Sequence, residues 1–273
     1  MIRSAPFVRR LSRSRLPARA QGTGAVPPPP PNLNPKSDRQ TCLLVGIIVG
    51  SVMLALLIGM VAISAAIMFP ALSRARGAAY QASCANNLKQ MALVFKMFGA
   101  ENPDGHWPAL SEKPGQFSPD MDAIHPEYFT DLTVLRCPNA PQDIEDAVES
   151  DGGSYIYLGY AVQTEAEARA FLDAYREALE SGQGFEEDLP IPLGHETLDI
   201  EAIPRLRERI PYAEQANVPV MFDRSFENHD ARGINVLFMD GRVEFIWAHE
   251  NRFPAVEWYL DELEALREHY TAS

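Results

Sequence analysis

The pattern along the chain is dominated by one unbroken apolar run. Residues 42–69 are 28 positions without a charged side chain, interrupted only by isolated polar residues such as Ser51 and Ser64. At ~1.5 Å per residue, roughly 20 residues cross a ~30 Å hydrocarbon core. The run therefore predicts a single transmembrane helix, because a core helix of this length would carry a polar stripe. Beyond it the period becomes helical and mixed. Leu72, Ala75, Ala79, Ala82, Leu88, Met91, Leu93, Val94 and Met97 give residues 70–100 an apolar face. Pro70 is expected to kink this helix or to restart it as a first-turn residue. Asn102-Pro103-Asp104-Gly105 supplies dense turn chemistry to end it.

The remaining pattern is shorter in wavelength. Residues 106–160 are punctuated by prolines, and 154–160 alternate aromatic and other residues as a strand does. An amphipathic helix is predicted over 164–180, with Ala168, Phe171, Leu172, Tyr175 and Leu179 on its buried side. An acidic loop at 186–201 leads to a short helix near 202–209. Strands follow at 218–223, 234–239 and 243–247, with Pro219 implying an edge and Asp240-Gly241 a tight hairpin turn. A helix over about 254–270 closes the sequence. The fold class is α+β: a long N-terminal membrane-spanning helix and stalk, then a small antiparallel sheet with added helices. The expected divisions are a tail (1–41), the span (42–69), the stalk (70–100), a head (101–252) and a C-terminal helix (253–273).

Charge adds an orientation. Of 24 basic and 37 acidic residues, eight basic and one acidic lie in 1–69, which leaves residues 70–273 with a formal balance of −20. Lys36 and Arg39 stand close before the span, and only Arg74, Arg76 and Lys89 follow near it. The positive-inside rule then places the tail in the cytoplasm and 70–273 outside. The leader of about 40 residues and the long apolar core favour an uncleaved anchor over a secretory signal, which has a short n-region and a 7–15 residue core. The Arg- and Ser-containing, acid-free first 20 residues also suit a transit peptide. Five consecutive prolines at 27–31 predict an extended, unpacked tail. The acidic body repels phosphates, so nucleic acid is not an expected partner. If the body faces an oxidising compartment, Cys84 and Cys137 are candidates to pair; the alternative is two small buried residues.

Several motifs then fall in a recognisable order. Phe69-Pro70-Ala71-Leu72-Ser73-Arg74-Ala75-Arg76 is followed by Ser83-Cys84-Ala85-Asn86-Asn87-Leu88-Lys89-Gln90, then Asn102-Pro103-Asp104-Gly105-His106-Trp107-Pro108, Cys137-Pro138 and Tyr155-Ile156-Tyr157. His229 with Asn235, Asp240 and Gly241 completes the set. This series resembles the pilin-like and type II secretion pseudopilin-like proteins of planctomycetes and related bacteria. Its C-terminal part resembles their prepilin-type processing-associated domain, a His, nine residues and Asp-Gly. Here ten residues separate His229 from Asp240. The resemblance covers about 70–247 and implies a bacterial inner-membrane protein, with lipid, other pilin-like or envelope proteins, and further copies through its N-terminal helix as partners. Pilins of the family carry a Glu at the fifth mature position. Gly46, Gly50 or Gly59 as the cleavage glycine would put Ser51, Ala55 or Ser64 there. A permanently anchored relative with its tail retained is therefore expected.

Catalytic chemistry is not signalled. None of the six histidines belongs to a close-spaced ligand set, and no phosphate loop or nucleophile motif occurs. The expectation is a non-enzymatic envelope protein without a cofactor. The alternative is a ligand- or cation-binding receptor, with Ca2+ as the cation and Asp223, His229, Asp230 and Asp240 converging at one end of the hairpin.

Overall fold

The first helix, α1, runs from Pro35 to Glu101. In the computed structural model, residues 35–138, 153–195, 198–208, 210–229 and 232–271 are described. Of the extended tail expected at 1–41, residues 1–34 lie outside them. Residues 35–41 are helical, which shortens the tail: Pro35 stands at the first helical position, where its missing N–H costs nothing. Pro70 neither ends nor restarts the helix and lies inside it.

The chain divides into two units, Met1–Ile63 and Ser64–Ser273. In the first, α1 exposes Leu43, Leu44, Val45 and Met53 alike, positions spread around its circumference. Its most apolar window has a mean hydropathy of 2.7 with none of it buried, so this one helix is long and apolar enough to cross a membrane.

In the second unit α1 becomes a core element only from Cys84 onward. Cys84, Leu88, Met91 and Phe95 are fully buried, at successive steps of four, three and four that keep them on one face. Leu72, Leu93 and Met97, expected on that face, are exposed instead. The sequence pattern misses the phase because Ala and Cys are small enough to read as neutral. Asn102 and Gly105 close the helix: the Gly105 N–H donates to the Asn102 carbonyl over 2.8 Å, with Gly105 at φ +67°.

After a short helix α2 (Met121–Ile124), strand β1 is Tyr155–Tyr157, shorter than the predicted 154–160 because Gly159 turns the chain at φ +70°. Helix α3 (Glu165–Ser181) begins in a capping box formed by Thr164 and Glu167 and ends at left-handed Gly182. Strands β2 (Leu189–Pro190) and β3 (Ala202–Ile203) pair, and a short helix α4 (Tyr212–Gln215) follows. The helix expected near 202–209 is thus an extended strap. Pro204 disfavours helical geometry at Ile203. Both sides of the strap are also paired: Ala161 N–H donates to Pro204 O, and Trp107 N–H to Leu206 O.

The main sheet has the order β1-β4-β5-β6, all antiparallel, where β4 is Pro219–Asp223, β5 is Gly233–Phe238 and β6 is Val243–Trp247. Strand β4 is interior, correcting the edge expected from Pro219. The proline is tolerated because it is the first strand residue and stands at a register shift before Met221. Helix α5 (Glu257–Thr271) closes the unit. Phe95 packs on Tyr157 at 4.9 Å and on Trp107 at 5.6 Å, laying α1 against the β1 side of the sheet. Each such fully buried aromatic contributes roughly 1.5–3 kcal/mol.

Candidate functional site

The polar centre of the second unit grows from one cross-strand row. Tyr155 of β1 stands opposite Asp223 of β4, and the antiparallel register that pairs Phe222 with Val236 brings Asn235 of β5 to the other flank of Asp223. Period-two alternation points all three side chains to the face on which α1 lies. The turn Phe226–His229 then folds His229 back over the strand end.

Asp223 is completely buried, and one of its oxygens is crowded with donors. Oδ2 accepts from the Asn235 backbone N–H at 2.6 Å and from Asn235 Nδ2 at 2.9 Å. It lies 2.8 Å from His229 Nε2, which is also 3.0 Å from Asn235 Nδ2. The other atoms of the pair, Asp223 Oδ1 and His229 Nδ1, are buried without a hydrogen-bond partner among the described residues. Burial opposes the charged form of His229, but its hydrogen bond and charge interaction with Asp223 outweigh it and raise the pKa above the usual value.

Cys84 of α1 and Cys137 close the row from above. Neither forms a disulfide, and both are fully buried. Their mutual hydrogen bond, followed by burial and the Asp223 charge, pushes the Cys84 thiol far up; a hydrogen bond from Tyr155 pulls weakly the other way. One potential ligand atom from each of Cys84, Cys137, Asp223 and His229 lies within 4.8 Å of the others. Asn87, one turn along α1 from Cys84, donates through Nδ2 to the Arg136 carbonyl at 2.9 Å and to the Tyr155 hydroxyl at 3.3 Å. It fixes the strand and the cysteine loop to the helix.

The sequence-predicted residues therefore separate into two groups. Cys84, Asn87, Cys137, Asp223, His229 and Asn235 converge. Leu88 is core, whereas Lys89, Gln90 and Pro138 are exposed, and Asp230 lies outside the described residues. Asp240 does not join Asp223 and His229, contrary to the converging set expected for Ca2+. It is five residues beyond Asn235 along the hairpin, a distance of roughly 16 Å at strand rise. There Gly241, at φ +91°, makes the turn, and Asp240 Oδ1 accepts from the Arg242 N–H at 2.9 Å. Lys96 Nζ of α1 donates to the Asp240 carbonyl at 3.0 Å, so this turn is a second point where helix and sheet are tied.

Spacing alone missed the partnership of the cysteines with the Asp–His pair. The usable signal was Asp223 at the end of a wholly apolar strand, since a fully buried carboxylate needs partners. No family model matches the chain, and neither a curated protein nor a solved structure does.

Proposed function

We propose that this chain is a non-enzymatic, pilin-like protein of a bacterial envelope, anchored in the inner membrane by α1, with residues 70–273 outside and engaged in protein–protein assembly. The observation that carries the reading is α1 itself: apolar and exposed around its whole circumference over residues 43–63, then part of the core of the α+β unit from Cys84. The order of motifs from Phe69 to Gly241 supports the pilin-like part. Exposed Leu72, Leu93 and Met97 supply apolar surface on α1 for a like helix. Chemical crosslinking and native mass measurement of the detergent-extracted chain test it. Dimers or larger assemblies that disappear on Leu72→Glu/Leu93→Glu/Met97→Glu substitution are expected; a strict monomer at all concentrations contradicts assembly.

The receptor reading keeps a specific observation in its favour, the buried Cys84–Cys137–Asp223–His229 group. Bound calcium at Asp240 is not supported, since the turn carbonyl and carboxylate are occupied by Lys96 and Arg242.

A further inference from the structure

We propose that Cys84, Cys137, Asp223 and His229 together hold one divalent transition-metal ion of the zinc class, as a structural clamp between α1, the cysteine loop and the β4–β5 connection. It is independent of the membrane reading and rests on four features of the group.

The first is ligand geometry. Tetrahedral zinc with bonds of about 2.0–2.3 Å sets its ligand atoms roughly 3.3–3.8 Å apart. The four side chains already lie mutually within 4.8 Å, so closure on an ion needs shifts of about 1 Å or less. The second is unmet valence. Asp223 Oδ1 is a buried atom with no hydrogen-bond partner among the described residues, and Nε2, the His229 ring nitrogen that faces the carboxylate 2.8 Å from Oδ2, can turn its lone pair to the same ion. A Cys84–Cys137 disulfide would consume the two sulphurs and leave Asp223 Oδ1 bare. One cation satisfies all four side chains.

The third is the chemistry of the set. Two sulphurs, an imidazole and one carboxylate select a borderline-soft ion and reject calcium or magnesium, which take oxygen ligands. Binding releases to solvent the two thiol protons, and one more from His229 where its ring is protonated, and leaves two thiolates, one carboxylate and a neutral imidazole around the dication. The net charge of the centre is then one negative, and the Arg232 charge acts on it from beside His229. The fourth is the surrounding shell. Asn235 fixes Asp223 through two donors, Tyr155 hydrogen-bonds Cys84, and Asn87 holds Tyr155. All four ligand residues are buried to within 4 % of completeness. Such closure fits a structural site.

The test uses the full chain, extracted in detergent and purified under reducing conditions. Elemental analysis is expected to find one equivalent of zinc per chain. Cobalt(II) added to chelator-stripped protein is expected to give thiolate-to-metal charge-transfer absorption and the intense visible bands of a tetrahedral site, displaced by zinc. Cys84→Ser and His229→Gln should abolish those bands, and Asn235→Ala should weaken metal affinity about 10–100-fold. The proposal is overturned if the unvaried chain holds no metal and shows no cobalt–thiolate absorption. It is equally overturned if the bound metal is unaffected by Cys84→Ser, or if the unreduced chain carries a Cys84–Cys137 disulfide and no metal.

Discussion

His229 Nε2 lies 2.8 Å from Asp223 Oδ2, with both side chains sealed from solvent. The pair raises the histidine pKa above its ordinary 6.5 against the opposing effect of burial. A group whose folded pKa exceeds its unfolded value stabilises fully below the unfolded value and loses that contribution as pH rises through the folded one. Metal-stripped protein is therefore expected to lose stability as pH is raised from about 6.5 through the neutral range. Denaturant titrations in detergent at a series of pH values measure this, and His229→Gln should flatten that part of the profile.

Asn235 supplies two of the three donors to Asp223 Oδ2. Asn235→Ala keeps the backbone donor and removes the side-chain one, a charge-assisted bond in a buried setting. Loss of about 2 kcal/mol of stability is expected. Tryptophan fluorescence during chemical unfolding reads it, since Trp107 is buried in the same core. An unchanged midpoint would show that Asn235 is not holding the carboxylate.

Two neighbours on α1 should behave oppositely. Phe95 is fully buried against Trp107 and Tyr157, so Phe95→Ala should cost roughly 3–5 kcal/mol. Leu93 is 64 % exposed, and Leu93→Ala should change the stability of the monomer by less than about 0.5 kcal/mol. Equal losses would place the wrong face of the helix on the sheet.

The capping box at α3 gives a local test. Thr164 Oγ1 accepts from the Glu167 N–H at 3.3 Å, and Glu167 Oε2 accepts from the Thr164 N–H at 3.0 Å. Thr164→Ala should destabilise the unit by about 1 kcal/mol in the same unfolding assay.

Features with long or local signals were legible in the sequence. The apolar run, the amphipathic helix over 164–180, the turn after α1 and the Asp240-Gly241 hairpin all follow from spacing and turn chemistry. The strap at 202–208 was not, because its conformation is set by pairing with residues 105–107 and 159–161 rather than by its own pattern. Pro219 misled for a related reason: a missing N–H marks an edge only where the ladder needs it, and here it falls at a register shift. The candidate site was half visible. His229 and Asp223 stood out, but the arrival of Cys84 depends on the helical phase of α1 on the sheet. Asp240 was assigned to the wrong end because closeness in sequence across a hairpin hides the length of its strands.

The central claim is that α1 anchors the chain in a membrane with the acidic unit outside. Alkaline extraction of membranes from cells expressing the full chain, combined with protease added to intact spheroplasts, tests it directly. The account predicts that the chain stays with the lipid pellet and that external protease removes residues beyond 70 while sparing a short N-terminal fragment. Replacing Leu57 by Arg, at a cost of about 2.5–3.5 kcal/mol in the span, should shift the chain toward the soluble fraction. Release of the unmodified chain by alkali, or full protection of its acidic unit in intact spheroplasts, would contradict the account.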